Sequence, residues 1–91
     1  MTARIQLQGR LGLSDAEPLA NRLRSLRGAD IDVDASQVTH LGTLCQQVLL
    51  SAASEWHGAG HELKLVNSTD ACVDQLALCG LTPESFEENS K

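Results

Sequence analysis

Asp30-Ile-Asp-Val-Asp-Ala-Ser-Gln-Val-Thr-His-Leu-Gly-Thr-Leu44 is the stretch whose reading decides the fold. Asp30, Asp32 and Asp34 alternate strictly with Ile31 and Val33, a run too short for a helix, which predicts a strand with one solvated face. The segment Ala35–Gly42 connects this strand to a helix that begins at Thr43. From there Leu44, Cys45, Val48, Leu49, Ala52, Ala53 and Trp56 follow the i, i+3, i+4, i+7 rule, led by Leu41, while Gln46, Gln47, Ser51, Ser54 and Glu55 occupy the opposite face. The helix is expected over Thr43–His57. It ends in Gly58-Ala-Gly60, where glycine suits a left-handed C-terminal cap. A strand running directly into an amphipathic helix is the first half of a βαβ crossover.

The flanking segments extend the same alternation. Downstream, His61–Val66 reads as a strand with Leu63 and Leu65 on one face and Glu62 and Lys64 on the other. Asn67-Ser-Thr-Asp70 supplies several N-caps for a helix carrying Cys72, Val73, Leu76, Ala77 and Cys79. Gly80 and Leu81 have the arrangement of a Schellman end, and Thr82-Pro83 stops the helix. Upstream, Ile5, Leu7, Leu11 and Leu13 alternate with polar residues, and Gly9-Arg10 interrupts them, which predicts a short hairpin. Ser14 and Glu17 have capping-box spacing, or Pro18 sits in the first turn. Either way a helix starts there, carries Ala16, Leu19, Ala20, Leu23 and Leu26, and stops near Gly28 with Arg22, Arg24 and Arg27 towards its end. The order is β-hairpin, α, β, α, β, α: a small α/β domain over residues 1–83, with a mixed four- to five-stranded sheet, and a polar tail over 84–91 that holds one helical turn around Phe86 or none. Each strand has a polar face, unlike the strands of a doubly covered parallel sheet. The helices are therefore expected mainly on one side of a sheet that grows in one direction. Such a sheet lacks the switch point where open α/β sheets bind small ligands.

Composition excludes several classes of function. Ninety-one residues allow one modest core. Seven Lys and Arg stand against twelve Asp and Glu, a net charge of -5, and there are only two aromatic residues, Trp56 and Phe86. Neither the basic footprint nor the stacking platform of a nucleic-acid binder is present. No apolar run approaches the length of a membrane span and the N-terminus lacks signal-peptide features, so a cytoplasmic protein without direct membrane insertion is expected. Cys45, Cys72 and Cys79 form an odd count without a CxxC pair, which suits buried thiols in a reducing compartment.

Candidate chemical sites are few. The Asp-x-Asp-x-Asp run at 30–34 has calcium-loop spacing, but Ala35 and Leu41 stand where that loop needs Gly and Glu. His57, His61 and Glu62 straddle a Gly-Ala-Gly turn and do not converge by spacing as metal ligands. His40 and Cys45 could form a base and nucleophile, yet Cys45 falls on the apolar stripe. P-loop, GxGxxG and GxSxG motifs are lacking. No catalytic residue, metal or cofactor is assigned, and the protein is not expected to be an enzyme.

With these residues in order, the chain resembles the STAS domains, the sulfate-transporter and anti-sigma-factor-antagonist family. The resemblance rests on Asp34-x-Ser36-x-Val38, an apolar residue, a small hydroxyl residue at the helix start, the amphipathic helix, the Gly-bounded strand at His61–Val66 and the final helix ending in Gly80-Leu81. Leu41–Leu50 together with Trp56 is similar to the stand-alone STAS proteins of proteobacterial chemotaxis operons. The family implies a protein-binding module whose hydroxyl residue at the helix start is phosphorylated by a partner kinase. By position that residue is Thr43, which would otherwise serve simply as the helix N-cap. The usual Asp before it is Gly42 here. The resemblance implies a partner surface of Thr39, His40, Gly42, Thr43, Leu44, Gln46 and Gln47, and a monomer or weak homodimer. The partner would be a serine kinase or anti-sigma factor, a chemotaxis signalling protein, or a phosphatase. The alternative is an unphosphorylated, constitutive STAS subunit of a lipid-asymmetry ABC transporter.

Overall fold

A computed structural model describes residues 2–87 of the chain. Its elements are β1 (Thr2–Leu11), α1 (Ala16–Arg24), β2 (Asp30–Leu41), α2 (Thr43–Gly58), β3 (Leu63–Val66), α3 (Asp70–Leu78) and the short α4 (Glu84–Glu87). The described strands form one sheet in the order β1-β2-β3, every pair parallel. Because the sheet grows in one direction, successive right-handed crossovers place α1 and α2 on the same face, where they pack on each other. Ile5, Leu7, Ile31, Val33, Leu63 and Leu65 are buried beneath them. Gln6, Gln8, Asp32 and Lys64 stay exposed or half-buried on the other face. The expected one-sided cover is present; the sheet, however, has three strands among the described residues instead of four or five, and it is not mixed.

Two local features account for the difference. No hairpin forms at Gly9-Arg10: Gly9 takes φ 66° and the strand continues in parallel register with β2 as far as Leu11. The polar interruption read as a turn is instead a kink in one long strand. Meanwhile β2 does not end at Asp34. Its register against β1 passes from Gln6–Asp34 to Gln8–Gln37 and from Gly9–Val38 to Arg10–His40, so it carries one extra residue at each step. Such bulges reset which side chains face the core. Ala35, Val38 and Leu41 are all fully buried at a spacing of three, a pattern that does not read as a strand. The Asp34 carboxylate braces the first bulge by accepting a hydrogen bond from the Ser36 amide at 2.8 Å.

Helices α2 and α3 end much as their sequences predict, whereas α1 stops at Arg24, short of Leu26 and Gly28. Gly60 and Gly80 both have positive φ, and the paired bonds of a Schellman motif close α2 (His61 amide to Trp56 carbonyl, 2.9 Å; Gly60 to His57, 3.1 Å) and α3 (Leu81 to Leu76, 2.9 Å; Gly80 to Ala77, 3.0 Å). Thr69 caps α3 by accepting from the Cys72 amide at 3.1 Å and itself donates to the Val38 carbonyl at 2.7 Å, which ties α3 to the bulged half of β2. The Ser14–Glu17 capping box is replaced by a turn at Leu13–Asp15, where the Gly12 amide donates to the Asp15 carboxylate at 2.8 Å. Trp56 is buried and donates its indole N–H to the Ala29 carbonyl at 2.8 Å. The helical turn around Phe86 is present. Phe86 is fully buried, and its carbonyl lies 2.9 Å from His57 Nε2, so the packed unit extends past residue 83.

Candidate functional site

The start of α2 is held against the end of β1 through a glycine. The Gly42 amide donates to the Leu11 carbonyl at 2.9 Å, and a Cβ at position 42 would lie 2.8 Å from that same oxygen. This close approach leaves no room for the Asp found at this place in the family pattern. Gly42 is the N-cap, so Thr43 is the first residue of the helix and not its cap. The Thr43 hydroxyl makes no capping bond; it lies 4.0 Å from Cys79 Sγ, with both residues exposed. The first turn of α2 contains no acidic residue.

The other expected surface residues divide. Thr39, Leu44 and Gln47 are exposed, and His40 and Gly42 are half-buried. Leu44 and Gln47 line an open groove of about 330 Å³ between α1 and α2, with Ala20 and Arg24 on its far wall. Gln46 does not belong to the surface. It is 2% exposed, and its amide donates to the Leu41 carbonyl at 2.9 Å and approaches the Gln75 carbonyl at 3.4 Å, bracing α2 against α3. The helical wheel places Gln46 on the solvated side, and α3 covers that side only in three dimensions.

Cys45 is fully buried with its thiol directed at the Gly12 carbonyl, 3.4 Å away. Burial, and then the Asp15 carboxylate, push the thiol pKa up, which disfavours the nucleophilic thiolate. Cys72 is buried as expected, and burial raises its pKa as well. Cys79 is not a core residue; it is exposed beside Thr43. Val73 and Ala77 also face outward, so α3 contributes only Cys72 and Leu76 to the core. The two histidines lie apart, His57 towards Phe86 and His61 beside Asp30, 3.3 Å from its Oδ1. Asp30 is held below the usual carboxylate range, chiefly by the Glu62 amide that donates to it at 3.0 Å. Asp34 lies well below that range, held there by the Arg4 guanidinium across the sheet and by the Ser36 amide.

Two leucines are exposed, and one of them, Leu13, is not the apolar strand residue that its alternation with Leu11 predicts. Leu78 precedes Cys79 and is 80% exposed, and Leu13, in the turn that packs against α2, is 79% exposed. Leu78 sits two positions past the buried Leu76, off the core stripe, which is the signal that could have found it. With Leu44 at 43% they give the surface around Thr43 exposed apolar side chains.

A three-stranded parallel sheet with helices on one face and an exposed hydroxyl at the start of the second helix defines a small, one-sided α/β domain. A family model described as "Mlab, STAS domain" matches residues 1–83, and the chain belongs to the STAS domain family. No curated protein and no solved structure matches it. STAS domains generally mediate protein–protein interactions. No helix among the described residues is long and apolar enough to cross a membrane.

Proposed function

We propose that this STAS domain acts in bacterial signal transduction, binding a partner protein through the surface around the start of α2 and losing that partner when Thr43 is phosphorylated. The observation that carries this reading is the exposed Thr43 hydroxyl: it stands at the first position of α2, is not spent on capping, and has the exposed Cys79 Sγ 4.0 Å away as its neighbour. A phosphate there would face the unpaired amides and positive dipole end of a sixteen-residue helix. It would also put a charge near -2 into a patch where Leu44 and Gln47 carry none. Desolvating that charge against a partner would oppose docking. The partner class is a serine kinase or anti-sigma factor, a chemotaxis signalling protein or a phosphatase, and the protein itself performs no catalysis.

A second reading has its own support. The matched family model carries the name Mlab, and Gly42 removes the acidic neighbour of the family's phosphorylated residue. On this reading the same surface binds constitutively, without phosphorylation, as a subunit of a lipid-asymmetry ABC transporter. Intact-mass measurement after incubation with a serine kinase of the kind that phosphorylates STAS domains separates the two. A single added phosphate that is lost in Thr43→Ala supports the switch. Undiminished partner binding by Thr43→Glu would defeat it and favour the constitutive subunit.

A further inference from the structure

Among the described residues the outer edge of β1 is open. The sheet order leaves β1 at one end, and none of the described strands pairs with its second side. Along that edge runs a groove of about 220 Å³ with Gln6, Gln8 and Leu11 on the β1 side and Asp15, Pro18 and Arg22 on the α1 side. An unpaired ten-residue strand offers a ladder of backbone donors and acceptors to another strand. Arg22 makes no side-chain bond among the described residues. Asp15 and Arg22 are separated by seven residues, about 10 Å along a helix, with Pro18 between them.

This arrangement is complementary to itself. We propose that two copies of the chain pair β1 to β1, antiparallel, about a two-fold axis normal to the sheet at Gln8, forming one continuous six-stranded sheet. Antiparallel pairing must set like faces opposite, so that Ile5 and Leu7 stay on the helix-covered side. A two-fold at Leu7 would bring Arg4 against Arg10 of the other copy. A two-fold at Gln8 instead sets Gln6 against Arg10 and Ile5 against Leu11, with no like charges opposed. Because α1 runs back antiparallel to β1, Asp15 lies towards the Leu11 end of the strand and Arg22 towards the Gln6 end. The same two-fold therefore brings Asp15 of each copy to Arg22 of the other, while a two-fold at Gln6 would draw the two Arg22 side chains together. The second copy is thus preferred over an unrelated strand on charge and on apolar register alike.

A charge swap at the two-fold tests the proposal. In reducing buffer, sedimentation of the intact chain should show its mass rising towards twice the monomer value as concentration approaches the millimolar range, which suits a weak interface of low area. Gln8→Lys alone and Gln8→Glu alone should each remain monomeric with an unchanged circular dichroism spectrum, since Gln8 is exposed, whereas their equimolar mixture should recover the dimer. Arg22→Glu should weaken dimerisation several-fold without touching β1. Opposed Cα atoms in an antiparallel pair fall within disulfide reach, so Gln8→Cys in a Cys79→Ser background should oxidise to a covalent dimer faster than Glu17→Cys in that background. A wild-type chain that stays monomeric throughout, a mixture no heavier than its components, or cross-linking at position 8 no faster than at position 17 would each overturn the pairing.

Discussion

Gly42 has an ordinary φ of −66°, so what its position demands is space and not an unusual backbone. The Leu11 carbonyl occupies the volume a side chain would need, and that carbonyl is backbone with little freedom to retreat. Gly42→Ala should therefore lower stability by about 1–3 kcal/mol, read as a reduced midpoint in urea unfolding, by prising α2 from β1. Asp34 sets a different residue-scale limit. Its carboxyl pKa is depressed in the folded protein, so its contribution is complete above the unfolded-state pKa and fades as pH falls towards the folded value. The stability difference between the wild type and Asp34→Asn should be constant near neutrality and shrink below about pH 4, measured by chemical denaturation across pH.

At the scale of elements, α3 depends on one side chain that works in two directions. Thr69 caps the helix and bonds the Val38 carbonyl of β2, so Thr69→Ala should cost about 1–2 kcal/mol, towards the upper end of cap losses. Thermal unfolding of the variant checks this. Helix α2 was legible because its apolar spacing is unbroken from Leu44 to Trp56, and the ends of α2 and α3 were legible because Gly60 and Gly80 announce left-handed caps. The second half of β2 was not. Its two bulges convert period two into the three-residue spacing of Ala35, Val38 and Leu41, and bulges follow from pairing with β1, which the local sequence does not state. The same blindness to pairing partners turned β1 into a hairpin. At the candidate site, Thr43 and Leu44 could be placed from helix position alone. The burial of Gln46 and the approach of Cys79 required knowing where α3 docks.

For the molecule as a whole, the core closes late in the chain. Phe86 is fully buried and α4 packs on β3 and α2, so the tail read as polar contributes one of the two aromatic side chains to the interior. Phe86→Ala should cost about 3–5 kcal/mol, enough to consume much of the stability of a domain this size, and is checked by the urea midpoint and m-value. The charge is distributed with equal consequence. Asp32, Asp34, Arg4 and Lys64 share the open sheet face or its margin, while Thr43, Leu44 and Gln47 at the start of α2 are uncharged, so a partner that meets those side chains desolvates fewer charges than one on the sheet face. The parallel sheet also governs how quickly this chain can find its fold. With no hairpin among β1, β2 and β3, every ladder joins segments separated by a whole crossover, and no pair can zip from a tight turn. Loop closure must therefore precede the first sheet bond, which places the domain among slower folders than helical bundles of similar length. During synthesis, β1 has no sheet partner until the residues of β2 have left the ribosome.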